Sequence, residues 1–219
     1  MTEYHAVEQN SPEWLALRTG RPTASEFAKV MAKGRGATRA TYMRTLAGER
    51  ITGDHHEGHS NAHMQRGHDM EDELRRGYAF RENVDPTPAG FVTLGRYGAS
   101  PDSLVGADGL LEVKSKAPHL LVDVVRKGDE SADWYPPEHR AQIQGQLYVT
   151  GRKWCDLVVG WIDSRNRDLI WTRRVLRDDE YISDMVEQLD SFVADLDALV
   201  ERVRRCLGLT ESDDPRWPS

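Results

Sequence analysis

Ser100-Pro101-Asp102-Ser103-Leu104-Val105-Gly106-Ala107-Asp108-Gly109-Leu110-Leu111-Glu112-Val113-Lys114 sets two acids and a lysine in short β-type runs. A hairpin turning at Gly106–Gly109 pairs the two halves, and side chains two apart on a strand share a face. Glu112 and Lys114 then point the same way, Val113 faces the core, and Asp102 on the neighbouring strand can approach Glu112. Two carboxylates near one point repel each other unless a cation sits between them or one keeps its proton. Oxygen ligands favour Mg²⁺ or Mn²⁺ over zinc. Lys114 can position or deprotonate a water there, or neutralise charge on an attacked phosphate. A surface hairpin with ordinary charges is the competing reading. Leu110, Leu111 and Val113 weigh against it, because they mark a partly buried strand in which an unpaired Glu is costly.

Outward from this hairpin the chain reads as one α/β (α+β) domain with a central mixed sheet flanked by helices. Upstream, Ser11-Pro12-Glu13-Trp14 is a helix start with Ser at the cap and Pro in the first turn, and Thr23-Ala24-Ser25-Glu26 is another. Helices are predicted over 38–52 and 61–82. The character then changes from Gly90 to Val125, with strands over Gly90–Leu94, Gly98–Val105 and Leu110–Lys114 between glycine-bearing turns. Downstream come a helix over Ala141–Val149, strands over Trp154–Ile162 and Leu169–Val175 with a turn at 163–166, and a long amphipathic helix over 180–205. Its stripe of Ile182, Met185, Leu189, Phe192, Leu196 and Val200 is expected to pack on the sheet or on a partner chain. The organisation is a single domain over 1–219: a helical front (11–82), a sheet core (90–175), the helix (180–205) and a tail (208–219).

The 219 residues are 38% hydrophobic and 30% charged. No apolar run approaches the ~20 residues needed to span a bilayer, which excludes membrane functions. Met1–Asn10 lacks the basic and apolar regions of an export signal, and Cys155 and Cys206 make no disulfide framework, so a reducing cytoplasm is expected. The net charge of −7 argues superficially against a nucleic-acid partner. The sum hides an asymmetry. Trp14–Arg50 carries eight basic residues against two acids, and from Asp178 onward there are twelve acids against four arginines. A basic face for a polyanion is therefore available, although two solvated faces of opposite sign fit the same counts.

Asp102…Glu112-x-Lys114 resembles the PD-(D/E)xK nuclease motif, and the surrounding blocks resemble the phage λ exonuclease or YqaJ-type viral recombinase family. The blocks are Ser11-Pro12-Glu13-Trp14 leading through Arg18 to Thr23-Ala24-Ser25; Gly67-x-x-x-Glu71; Ser100-Pro101-Asp102-x-Leu104; Glu112-Val113-Lys114; and Ala141-Gln142-Ile143-Gln144 with Val149-Thr150-Gly151. The resemblance implies a restriction-endonuclease-like core and a 5′→3′ exonuclease on double-stranded DNA ends. Such an enzyme releases mononucleotides and leaves a 3′ overhang for single-strand-annealing recombination. It implies two Mg²⁺ per site (Mn²⁺ possible), with Asp102 on both ions, Glu112 on one and the Val113 carbonyl completing the set. Lys114 would hold or activate the attacking water, Glu71 would support the site, and Gln142 would add a polar contact.

The same resemblance assigns Arg18, Ser25 and Ser100 to the 5′-terminal phosphate. Arginine offers a two-pronged donor and Ser25 lies at a helix start, although a surface arginine and cap or turn serines fit these positions too. Arg35 and Arg39 are expected along the duplex path, and Met64 at the position of an apolar wedge between strands. Lys33-Gly-Arg-Gly36 lacks Walker spacing, so no ATP is expected. His55, His56, His59, His63 and His68 crowd one stretch; a solvated loop is expected rather than a metal site. A three-subunit ring and a single-strand annealing partner are implied by resemblance alone. An endonuclease of the same superfamily and a non-catalytic DNA-end-binding protein are the alternatives.

Overall fold

The computed structural model describes residues 1–32, 36–56, 62–165 and 167–209, the side chains of 62–69 excepted. Two sheets organise the chain. β1 (Thr2–His5), β2 (Phe91–Leu94) and β3 (Tyr97–Ala99) form a small antiparallel sheet. β4 (Ser103–Val105), β5 (Gly109–Ser115), β6 (Trp154–Ile162) and β7 (Asp168–Leu176) form a mixed sheet in that order, with only β5 and β6 parallel. A parallel pair needs a crossover connection. Here it is made by α5 (Pro118–Glu130) and α6 (Arg140–Thr150).

The run expected as one strand over Gly98–Val105 is broken, and this is the main correction to the predicted elements. β3 ends at Ala99 and β4 begins at Ser103, in a different sheet. Pro101 has no N–H to donate to a ladder, and Ser100 donates its hydroxyl to the Gly90 carbonyl at 2.7 Å. The chain therefore changes sheets at Ser100-Pro101-Asp102. β1 and α5 are additional elements that the sequence reading does not contain.

Before the sheets come α1 (Pro12–Arg18), a short 3₁₀ turn (Ala24–Glu26), α2 (Phe27–Met31), α3 (Ala37–Thr52) and α4 (Ala62–Glu82). Ser11 caps α1, accepting from the Trp14 N–H at 3.2 Å. The mixed sheet is covered on both faces. Leu74 and Tyr78 of α4 pack on Leu111, Val113 and Val158, whereas Ile143 and Leu147 of α6 pack on Leu110, Leu157 and Val159. The period-2 alternation of β5 thus sends Leu111 and Val113 to one face and Leu110, Glu112 and Lys114 to the other. Each large apolar side chain withdrawn from water in this way contributes about 1.5–3 kcal/mol. α7 (Asp179–Leu207) buries Met185, Leu189, Phe192 and Leu196 against α2, α3 and the β2–β3 region of its own chain. Among the described residues no helix is long and apolar enough to cross a membrane.

Candidate active site

A cleft of about 1870 Å³ opens between α1, α3 and the end of the mixed sheet. Glu71, Asp102, Glu112, Lys114 and Gln142 line it at the sheet end, Arg18 and Ser25 line it on the helical front, and Ser100, in the link between β3 and β4, lines it as well. Eight of the residues singled out from sequence share one concavity although they span positions 18 to 142.

At the sheet end β5 is decisive. Leu104 exchanges both main-chain bonds with Thr87, so Ser103 and Val105 turn theirs toward β5, opposite Leu111 and Gly109. Val113 lies two residues beyond the last β4 partner and faces the same side. Its N–H donates to Asp102 Oδ2 at 2.6 Å. By the same strand geometry its carbonyl is directed to that side as well.

Glu112 is buried, with 1% of its surface exposed, yet neither oxygen is left alone. Oε1 accepts from Gln142 Nε2 at 2.5 Å and lies 2.5 Å from Lys114 Nζ, and Oε2 accepts from Gln146 Nε2 at 2.7 Å. The helical period of α6 presents Gln142 and Gln146 on one face, four residues apart. Gln146 was not singled out in sequence; the Gln-x-x-x-Gln spacing was the available signal.

Burial and the neighbouring charge of Glu112 push the Asp102 carboxyl well above the ordinary carboxylate range, against the opposing pull of Lys114 and the Val113 N–H. For Lys114, burial favours the neutral amine, but Glu112 and Asp102 together outweigh it and raise its pKa. The two acids thus favour the ammonium form of Lys114.

Among the described residues no three His, Cys, Asp or Glu side chains group as a metal cage. The donors present are two carboxylates and a main-chain carbonyl, a hard-oxygen set that suits Mg²⁺ or Mn²⁺ with water completing the shell. Burial first, and then the charge of Glu112, raise Asp102, and a cation between the two acids would offset both. The residues therefore fit a divalent metal.

On the helical front, Arg18 lies over the Trp14 ring, with Cζ 5.2 Å from its centre. Trp14 Nε1 in turn donates to Ser100 Oγ at 3.2 Å, which ties α1 to the residue two before Asp102. Ser25 lies 3.3 Å from the Thr23 hydroxyl in the 3₁₀ turn.

Arg39 is not brought to the cleft. It pairs with Asp195 of α7 at 2.9 Å and stacks over Phe192, which ties α3 to α7. Arg35 and the side chain of Met64 lie outside the described residues, as do His59 and the side chains of His63 and His68. His55 and His56 line the cleft beside Glu49. The opposed charge blocks are also partly internal partners, because Asp197 of α7 takes Arg50 at 2.6 Å and Arg96 at 2.5 Å.

The model of the YqaJ-like viral recombinase domain matches residues 13–153, which carry every cleft residue named above. The chain belongs to the YqaJ-like viral recombinase family. Within it, the chain is 34% identical to LHK-Exo, an alkaline exonuclease from Laribacter hongkongensis, over 90% of this chain and 98% of that one. The TM-score is 0.79, or 0.80 against LHK-Exo in complex with dAMP. A phage-related exonuclease from Haemophilus somnus 129PT shares the fold at 13% identity, with a TM-score of 0.64 over 86% of this chain and 99% of that one. No curated protein matches the chain. Membership of the YqaJ-like family implies divalent-metal-dependent catalysis, and the YqaJ-like core accounts for the mixed sheet between two helical layers.

Proposed function

We propose that this protein is a divalent-metal-dependent exonuclease that digests the 5′-ended strand of duplex DNA from its ends, releasing mononucleotides and leaving a 3′ overhang. The feature carrying this reading is the continuity of one cleft from Arg18, Ser25 and Ser100 to Asp102, Glu112 and Lys114. An anion held at the first group places a phosphodiester toward the second. The similarity to an exonuclease solved with a bound nucleotide, dAMP, supports the same reading.

Divalent cations held by Asp102, Glu112 and the Val113 carbonyl, two in this reading, would supply Lewis-acid polarisation of the scissile phosphate. The protein's own part is positional and electrostatic. Gln142 and Gln146 fix the plane of the Glu112 carboxylate. Lys114, held as an ammonium, offers hydrogen bonds and positive charge to the attacking water and to the charge that builds on phosphate oxygens. Glu71 adds negative charge near Asp102 and Lys114 from α4. Arg18 grips the terminal phosphate with a two-pronged donor already stiffened by Trp14. Assembly as a three-subunit ring around the duplex, and transfer of the overhang to a single-strand annealing protein, complete the reading.

End-labelled linear duplex and closed circular duplex, each with Mg²⁺ or Mn²⁺, test it. Loss of the 5′-ended strand as mononucleotides and an intact circle are expected. Cutting of the circle, or digestion from 3′ ends, would overturn it. Arg18→Ala should lower the preference for 5′-phosphorylated over 5′-hydroxyl ends about tenfold, the worth of one charge-assisted hydrogen bond.

A further inference from the structure

The segment that carries Arg18, Arg21, Thr23 and Ser25 along the cleft is not held by its own helix alone. At Gly20 the chain leaves α1 with φ +69°, and both main-chain groups of that residue are taken by neighbouring residues of α3. The Gly20 N–H donates to Glu49 Oε2 at 2.7 Å, and the Gly20 carbonyl accepts from Arg50 Nε at 2.8 Å. The approach is close enough that a Cβ on Gly20 would fall 2.6 Å from Arg50 Cγ.

Glu49 has a second attachment. Its Oε1 accepts from the His56 N–H at 2.9 Å and lies 3.1 Å from His55 Nδ1, where the chain leaves α3 toward α4. One buried carboxylate, 4% exposed, thus ties the Arg18–Ser25 segment to His55 and His56, which line the same cleft. Behind it, Arg50 Nη1 donates to Asp197 of α7 at 2.6 Å, and Arg96 donates twice to the same carboxylate. The bracket at Gly20 is therefore anchored to the long helix, far in sequence from any cleft residue.

We infer that Glu49 is a positioning residue for the recognition of terminal phosphate: with Arg50 and Asp197 it holds the Gly20 turn so that Arg18 and Ser25 converge on one anion. This inference rests on the phosphate-end reading given above. Both Glu49 oxygens receive N–H donors, so glutamine cannot replace it, since its single carbonyl oxygen serves one side while its NH₂ meets an N–H on the other. Losing one bond to a charged acceptor at the turn shifts the phosphate contacts and leaves the distant carboxylates at Asp102 and Glu112 in place.

The experiment compares initial rates on duplexes ending in 5′-phosphate or 5′-hydroxyl for wild type, Glu49→Gln, Asp197→Asn and Arg18→Ala. The phosphate-over-hydroxyl preference should fall about tenfold in Glu49→Gln and by a smaller factor in Asp197→Asn. A merely structural role would lower both rates together and keep their ratio, and that result would overturn the inference. If Arg18→Ala leaves the ratio unchanged, the phosphate-pocket reading itself fails; if Arg18→Ala collapses it and the Glu49 variant does not, only the bracket fails. Should Glu49→Gln not fold by thermal melting, Asp197→Asn, which does not touch the cleft, carries the test, and an unchanged ratio there overturns the inference.

Discussion

Replacing Gln146 by methionine separates the worth of a side chain to stability from its worth to catalysis. Gln146 is 1% exposed; its Nε2 donates to Glu112 Oε2 at 2.7 Å, and its Oε1 is buried with no hydrogen-bond partner among the described residues. Methionine has a similar unbranched length and fills irregular space well. Loss of a hydrogen bond to a charged acceptor costs about 1.5–3 kcal/mol, while removal of a buried orphan oxygen returns about 1–3 kcal/mol. The two nearly cancel, so Tm should stay within roughly 4 °C of wild type, given about 2–4 °C per kcal/mol for a chain of this size. Catalysis has no such compensation. Glu112 freed on one side can rotate away from the geometry that Gln142 and Lys114 define, and turnover should fall between about tenfold and a hundredfold. The half-saturating concentration of Mg²⁺ or Mn²⁺ should rise with it. The assay pairs thermal melts with metal titrations of nucleotide release from linear duplex. A rate and a metal requirement within twofold of wild type would refute the role given to this amide. A Tm loss beyond about 10 °C would show that the orphan oxygen is not relieved by methionine.

Two further outcomes follow from the site's electrostatics. Lys114→Ala should lower turnover by about 10²–10⁴-fold while DNA binding, followed by fluorescence anisotropy with Ca²⁺ in place of Mg²⁺, persists; wild-type digestion would remove Lys114 from the chemistry. His139, which precedes α6 near Lys114, has its pKa pushed down from 6.5 to about 4, first by burial and then by the charge of Lys114. Between those values the unfolded chain takes up a proton that the folded chain refuses, so stability falls as pH drops from 6.5 toward 4, by roughly 3 kcal/mol in full. His139→Gln should flatten that part of the stability–pH curve measured by urea unfolding, and an unchanged slope would show that another group is responsible.

Local elements were legible where a single period dominates. The nine-residue strand β6, apolar apart from Asp156, is legible with its observed ends, Trp154–Ile162, and β5 within one residue at each end. The stripe along α7 was legible for the same reason. α5 was not, although Leu121, Val124 and Gly128 are buried at helical spacing, because its valine-rich start extends a region already rich in strands. β1 is four residues long with an exposed middle, and it exists as a strand only by pairing with β2. The break at Ser100-Pro101-Asp102 was marked by Pro101, yet the change of sheet there depends on Gly90 and Thr87, which lie elsewhere in the chain.

The residue order by itself determined the chemistry of the site: a strand's two-residue period puts Glu112 and Lys114 on one face, and oxygen donors at Asp102 and Glu112 call for a hard cation. Those are short-range consequences of backbone geometry and of side-chain type, and no folding partner is needed to state them. What only the tertiary structure decided is the fate of each charge. Arg39 and Arg50 stand in the same basic segment as Arg18, but α7 brings Asp195 and Asp197 against the first two and leaves Arg18 facing the cleft. Gln142 and Gln146 become holders of Glu112 because the crossover lays α6 on that face of the sheet. A charge becomes a ligand, a counter-ion or a clamp according to what the fold packs beside it, and those neighbours lie some 30 to 156 residues away.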